Sequence, residues 1–278
     1  MKLSLLDIIA CPNDKHFPLE LKASVGALAS GSILDGELYC PSCESVFRIE
    51  DGIPRLLADH SIGDHPIGRD KANEMRARDD QAHDYDRLKG LKVLSKLEVP
   101  KFLELFEAGQ DDLVVELGAG TGRITEAVAG LVSQLVAVDF SLTSLQRARA
   151  KFAGSNVHWV QGDVNHLPLQ DLVCDHAFSC QVFEHLPGTA FRNMAVDEAA
   201  RVIKDAGTFI ISVYRDSWAW RLVGAKEGYH DGGIYYYRLS GAEFRDLLER
   251  RFAIEKLIPN LGFYLQMAKC VKEPRVQL

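Results

Sequence analysis

Residues Val114–Arg123, VVELGAGTGR, hold the pattern most able to do chemistry. An apolar run enters a turn with glycines at 118, 120 and 122, and Asp139 ends the next apolar run in VAVDFS. Glycines so spaced let the backbone pass close to a ligand and turn sharply into a helix. A carboxylate roughly 20 residues further on can accept both hydroxyls of a ribose. The chemistry indicated is binding of a nucleoside-containing cofactor. A dinucleotide fingerprint needs its third glycine at position 123, where this chain has Arg123. The usual register for cradling a pyrophosphate is therefore missing.

Glu116-x-Gly118-x-Gly120-x-Gly122 resembles the first motif of class I S-adenosylmethionine-dependent methyltransferases, and the later motifs follow in place. Asp139 resembles that family's ribose carboxylate, and Phe140 the residue lying against the adenine. Gln161-Gly162-Asp163-Val164 resembles the third motif, where an Asp meets the adenine amino group. Ala177–Leu186, AFSCQVFEHL, resembles the fourth motif, and Ala200–Val213 the helix, turn and fifth strand after it. The resemblance spans roughly residues 70–271. It implies S-adenosylmethionine as cofactor and a seven-stranded sheet whose last strand is antiparallel. It also implies a cofactor site that takes Ala119 with the three glycines, Val164 with Asp163, and Cys180 with Gln181. Glu116 would face the methionine moiety, and Tyr85 resembles a family tyrosine that closes over the cofactor.

Read as residues alone, three of these positions keep second meanings. Glu116 fits a solvated strand-end acid, Asp163 a turn-former after glycine, and Gln181 a helix cap. Methyl transfer from a sulfonium is an in-line displacement, so the protein must mainly orient the reactants and exclude water. A base is needed only where the nucleophile must lose a proton. Glu184 and His185 are the catalytic candidates for that role, because His titrates near neutral pH; in many relatives of this type a similar pair is structural. Cys180 follows Ser179 rather than a proline. That argues against a cytosine-methyltransferase nucleophile and for a small buried residue. No Asn-Pro-Pro-Tyr or Asp-Pro-Pro-Tyr run follows the fourth strand, which disfavours methylation of an adenine amine or a glutamine amide.

The connection Tyr214–Arg238 is too long for a plain link and is rich in aromatics. Long connections with glycine hinges often form lids and pockets. Tyr214, Tyr229, His230 and Tyr235 are the expected acceptor-binding residues. Their rings fit a planar or apolar small molecule, would also stack on an RNA base, and equally could only pack the lid.

Cys11-Pro12-Asn13-Asp14 and Cys40-Pro41-Ser42-Cys43 look like two zinc knuckles, one with Asp in place of the second Cys. Cys11, Asp14, Cys40 and Cys43 are the expected ligand set, with His16 as an alternative fourth ligand. A site that has lost its metal is the competing reading. LLDIIACP, LYCPSC and DGIPRLL make residues 2–58 resemble the small zinc-ribbon activator protein that partners tRNA and translation-factor methyltransferases. The Asp14 departure bears on metal binding rather than on the fold.

The elements that must position these residues divide the chain into a zinc-ribbon-like β domain (1–58), a linker (59–69) and a methyltransferase domain (70–278). Strands are expected near 112–117, 135–139, 157–160, 174–179 and 208–214. Helices are expected near 122–131, 142–152 and 191–204, with Ser141 and a Ser240/Glu243 capping box as start signals and Gly207 as a stop. Leu97–Ala108 reads as an amphipathic helix with Leu97, Phe102, Leu105 and Phe106 on one face. Strand–helix alternation gives an α/β fold, a Rossmann-like, mostly parallel sheet with helices on both faces.

The chain has 278 residues, of which 47% are hydrophobic, enough for one large core and a small appendage. No run of 18 apolar residues occurs, so no membrane span is expected. The opening MKLSLLDIIACPNDK is broken by Asp7 and has no small-residue cleavage site, so it reads as part of a cytoplasmic protein. The net charge of −7 argues against an RNA substrate. The basic clusters Arg69–Lys71, Arg76–Arg78 and Arg245–Arg251 read as solvated helix faces. The leading expectation is methyl transfer to a small-molecule acceptor. RNA methylation aided by the ribbon is second, and a non-catalytic regulatory subunit third.

Overall fold

Val114 and Val115 are consecutive, fully buried, and belong to cores on opposite faces of one strand. A strand apolar on both faces is the mark of a sheet covered on both sides. The computed structural model describes residues 1–25, 32–59, 66–82, 89–152, 156–221, 224–230 and 232–274. Its strands are β1 (Glu20–Val25), β2 (Asp35–Tyr39), β3 (Val46–Glu50), β4 (Ile53–Leu56), β5 (Leu113–Leu117), β6 (Gln134–Asp139), β7 (Val157–Gly162), β8 (Cys174–Cys180), β9 (Ile203–Tyr214), β10 (Glu227–Tyr229), β11 (Tyr235–Tyr237), β12 (Phe252–Leu261) and β13 (Leu265–Lys272). Its helices are α1 (Pro66–Ala82), α2 (Lys89–Leu105), α3 (Thr125–Val128), α4 (Leu142–Lys151), α5 (Gly188–Val202), α6 (Trp218–Arg221) and α7 (Gly241–Glu249). None is long and apolar enough to cross a membrane.

Seven strands run in the order β7-β6-β5-β8-β9-β13-β12. The first five are parallel, and β13 lies antiparallel between β9 and β12. Successive strands step outward from β5 to β7, then jump back to β8 on the other side of β5. Ligands in such sheets bind beyond the carboxyl ends of the strands at that reversal. The Gly118–Gly122 turn leaves β5 there, and Gln181–His185 leaves β8 beside it.

The amino-terminal unit does not hang from a linker. Its β1–β4 meander continues the same sheet, because β4 pairs in parallel with β7 through Arg55↔Gln161 and Leu56↔Gly162. Backbone bonds from Ala10 to Pro168 and from Gln170 to Ile8, each 3.0 Å, stitch it further. Lys15 adds a 3.0 Å ion pair with Glu198. Its core residues Leu5, Ile9, Leu38 and Phe47 are continuous with Val115, Val138 and Phe209 of the large sheet. The linker region itself is partly helical, since α1 begins at Pro66, where a proline suits a first helical turn.

Ser141 caps α4 and the Ser240/Glu243 box caps α7, both as expected. The expected helix 122–131 contracts to α3. Gly207 does not stop a helix: α5 ends at Val202 and the chain is already in β9. A Cβ at 207 would lie 2.4 Å from the Asp175 carbonyl, so glycine is required by the close approach of the neighbouring strand β8 at an irregularity in the pairing. Leu97 is 44% exposed and leaves the buried face of Phe102 and Leu105.

Candidate functional site

A cleft of about 1070 Å³, counting its open mouth, lies at the reversal of strand order. Gly118, Ala119 and Gly120 form its floor, with Glu116 at the β5 end and Asp139 and Phe140 at the β6 end. Asp163 and Val164 close one side; Cys180, Gln181 and His185 close the other. Gly118 has φ +79°, and a Cβ there would lie 2.2 Å from Val182. Gly120 has φ +54° and faces open space, so its backbone is accessible to a ligand. Gly122 is not part of the lining; a Cβ there would lie 2.7 Å from Phe152. Tyr85 lies outside the described residues.

Asp139 is aimed by its neighbours. Its carboxylate accepts from the Gly120 N–H at 2.7 Å and the Ser141 N–H at 2.8 Å. Burial pushes this carboxyl up, opposed by those N–H groups and Arg78. Glu116 is pushed up to about 8 by burial, although it accepts a 2.5 Å bond from Thr125 Oγ1. An acid held between charged and neutral forms suits a position that a ligand cation would complete. The buried acceptors, the open glycine backbone and the aromatic Phe140 therefore fit an adenosine-type cofactor with an amino-acid tail.

Several cleft residues escaped the sequence reading. Helix α1 supplies Lys71, Glu74, Arg78 and Gln81. Lys71 is only 8% exposed and is bonded to Asp163 and Asn165, so the cluster Arg69–Lys71 is not wholly a solvated face. Arg78 pairs with Glu74 and also lines the cleft. Asp79 holds Ser141 Oγ at 2.5 Å and so ties α1 to the start of α4. From α2, the fully buried Glu98 accepts from Gln181 and Ser212 and pairs with Arg123 at 2.7 Å. Gln181 adopts φ +61°, so it is held by this network rather than capping a helix. A charged helix docking onto a distant carboxylate leaves no local sequence signal.

Of the two catalytic candidates, His185 lines the cleft and Glu184 does not. Glu184 is fully buried, and neither of its oxygens has a partner among the described residues. Burial pushes its carboxyl up to about 8. Because the folded value lies above the ordinary one, this group's contribution is full below pH about 4.5 and is lost as pH rises toward 8. Glu184→Gln should flatten that fall and raise Tm at pH 8 more than at pH 5. The gap should be on the order of 4 kcal/mol, at about 1.4 per pH unit between the two values. Equal Tm changes at both pH values would contradict the assignment.

None of the four expected acceptor residues lines the cleft itself. Tyr214 and His230 pack on His185, with ring centroids at 5.6 and 5.9 Å. Tyr235 offers its backbone carbonyl to His185 Nδ1 at 2.6 Å. Tyr229 is 72% exposed and meets the Tyr235 ring edge-on at 5.9 Å. The β10–β11 hairpin, closed by a turn with Gly232 and Gly233 at positive φ, is thus the roof over His185.

In the amino-terminal unit the ligand atoms of Cys11, Asp14, Cys40 and Cys43 all lie within 4.8 Å of one another. Tetrahedral zinc with Zn–S near 2.3 Å needs sulfurs about 3.8 Å apart; Cys11 and Cys43 sulfurs are 3.5 Å apart. A hydrogen bond from Ser42 and the nearby thiols hold the Asp14 carboxyl down at about 2, in its ligating form. His16 is outside the cluster and donates its backbone N–H to Asp14. The donor set fits one zinc. Elemental analysis of protein purified without chelator should find about one zinc per chain, lost in Cys40→Ser. Substoichiometric zinc unaffected by that change would mean a vestigial site.

Comparison with known proteins finds two separate matches. Residues 115–211 match the family described as "Methyltransferase domain", and residues 2–52 the family described as "Trm112p-like protein". A malonyl-[acyl-carrier protein] O-methyltransferase of Marinomonas sp. (strain MWYL1) is 31% identical over 150 residues, which are 49% of this chain and 52% of that protein. The chain thus spans about half the length of that curated relative. A chain from the complex of the Haloferax volcanii Trm112 methyltransferase activator with a methyltransferase superposes with TM-score 0.59 at 21% identity, over 71% of this chain and 98% of that one. Haemonchus contortus phosphoethanolamine N-methyltransferase 1, solved with phosphoethanolamine and S-adenosylhomocysteine, gives TM-score 0.62 at 16% identity, over 79% of this chain and 52% of that one. At such identities these two structures speak for the fold alone. Glycine turn and family matches converge: the chain carries a Trm112p-like domain over residues 2–52 and, over residues 115–211, a methyltransferase domain of the S-adenosylmethionine-dependent type.

Proposed function

We propose that this chain transfers the methyl group of S-adenosylmethionine to a small-molecule acceptor that reaches the cleft beside His185. The cofactor supplies a methyl group already activated on a sulfonium. The chain's residues hold the two reactants in line and keep water out. Asp139 takes the ribose, the Gly118–Gly120 backbone lets the cofactor lie close, and Glu116 faces its methionine end. The β10–β11 hairpin roofs the acceptor side.

The observation that supports a small acceptor is the state of the cleft's cations. Lys71, Arg78 and Arg123 are each paired with an acid, namely Asp163, Glu74 and Glu98. Cations already neutralised make a poor track for a phosphate backbone. The amino-terminal unit has a structural task on this reading: it covers the β7 edge and supplies an activator-like domain within the same chain. Binding of mixed RNA across a salt series tests the choice. We expect weak binding at all salt concentrations. A tight complex that weakens steeply as salt rises would favour an RNA acceptor instead.

A further inference from the structure

We propose that Arg78 binds a carboxylate of the methyl acceptor, so that the acceptor is a small carboxylic acid. This rests on the methyl-transfer reading above. The other charged groups lining the cleft around the cofactor's place are held by short bonds. Lys71 is bonded to Asp163 and Asn165, and Arg123 to Glu98 at 2.7 Å. Glu116 accepts from Thr125 Oγ1, and both Asp139 oxygens accept backbone N–H groups. Arg78 differs. Among the described residues its one ion pair is with Glu74 at 3.6 Å, longer than an ordinary hydrogen bond. A guanidinium carries five N–H donors. This one lines the cleft with its side chain 22% exposed, so most of its donors await a partner there.

Helix α1 aims Arg78 and is itself pinned. Lys71, Glu74, Arg78 and Gln81 recur at helical spacing, share one face and line the cleft together. Lys71 ties one end of that face to Asp163, just after β7. Asp79 ties the other end to Ser141 Oγ at 2.5 Å and to the Thr143 N–H at 3.3 Å. The two cleft arginines serve different ends. Arg123 acts electrostatically on Glu116 and Cys180, at the end given to the cofactor's methionine moiety. Arg78 acts on Asp139, Glu184 and His185. With the cofactor's ribose on Asp139 and its own carboxylate toward Arg123, Arg78 is left for the molecule that enters beside His185.

Shape and charge select the class of anion. The planar guanidinium fork pairs bidentately with a carboxylate or a phosphate. A phosphate monoester carries about −1.5 to −2 charges near neutral pH. One guanidinium that shares its charge with Glu74 does not offset that, and Lys71 and Arg123 are committed to Asp163 and Glu98. A carboxylate brings a single charge and matches the fork. Burial pushes the Glu74 carboxyl up, so Glu74 can take a proton and yield Arg78 to an arriving carboxylate. The same loose pair screens Arg78 from a distant chain of phosphates, yet leaves its N–H groups for one small anion. Val182, Leu186 and Pro187 give the cleft apolar lining for the body of such an acid.

Ligand-observed saturation-transfer NMR tests this on the 278-residue chain saturated with S-adenosylhomocysteine, with benzoate, benzamide and phenyl phosphate as probes at neutral pH. Saturating the cofactor site keeps the probes out of it. We expect benzoate to bind, and benzamide and phenyl phosphate to bind roughly 10-fold more weakly or not at all. Arg78→Gln should lower benzoate affinity by roughly 10–10²-fold, the loss of one charge-assisted pair. Its Tm and its S-adenosylhomocysteine affinity should stay as in the wild type. Wild-type chain that does not bind benzoate, benzamide or phenyl phosphate binding as well as benzoate, or benzoate affinity unchanged in Arg78→Gln overturns the proposal. A fall in S-adenosylhomocysteine affinity in Arg78→Gln also overturns it, because Arg78 would then hold the cofactor. Failure of the wild-type chain to bind S-adenosylhomocysteine would instead overturn the underlying methyl-transfer reading.

Discussion

Asp139→Ala should weaken S-adenosylhomocysteine binding by roughly 10²–10⁴-fold in calorimetric titration. The carboxylate faces two ribose hydroxyls on our reading, and each charge-assisted bond is worth about 1.5–3 kcal/mol. At about 1.4 kcal/mol per decade, losing both gives that range. The Gly120 and Ser141 N–H groups hold the carboxylate at 2.7 and 2.8 Å, so it needs no reorganisation to receive the ribose. Asp139→Asn keeps the shape and at least one acceptor, and should lose less. Thermal unfolding of both variants separates loss of binding from loss of fold. Unchanged affinity in Asp139→Ala would remove the cofactor assignment.

Deleting residues 1–58 should leave a chain that does not stay soluble and folded. The deletion strips β4 from β7, a strand buried along its whole length. It also uncovers Val160, Leu167 and Leu169, which share a core with Leu5, Ile9 and Leu56. A buried strand such as this, left as an unpaired and uncovered edge, is an aggregation template. A milder probe is Ile9→Ala, since Ile9 is fully buried and bridges to Leu169. Such a truncation costs about 2–5 kcal/mol, or roughly 5–20 °C in Tm for a domain of this size. Residues 59–278 remaining soluble with an unchanged Tm would show that the amino-terminal unit is a mere appendage.

What the sequence made legible was what local chemistry determines. The glycine turn, the Ser141 cap and the Ser240/Glu243 box each depend on residues within a few positions of one another. The count of seven strands and the antiparallel last strand, β13, followed from the family resemblance; their order did not. The misses are all consequences of long-range docking. The polar composition of α1 reads as a solvated helix, yet Lys71 reaches Asp163 across 92 positions. Glu98 sits on a helix whose charge pattern gives no hint that it will be buried beside Gln181 and Ser212. The pairing of β4 with β7 joins residues more than 100 positions apart, and only the tertiary fold reveals it. Gly207 shows the converse error. Its type was noticed, but a helix stop and a close approach to a neighbouring strand both favour glycine, and only the contact with Asp175 distinguishes them.

Methyl transfer from this chain to a small molecule is tested most directly by one incubation. The purified 278-residue chain is mixed with methyl-labelled S-adenosylmethionine and an unfractionated cell extract, and the label is then followed into small-molecule, RNA and protein fractions. Label should enter the small-molecule fraction and be abolished by Asp139→Ala. Label confined to RNA or protein, or no difference between wild type and Asp139→Ala, would contradict it.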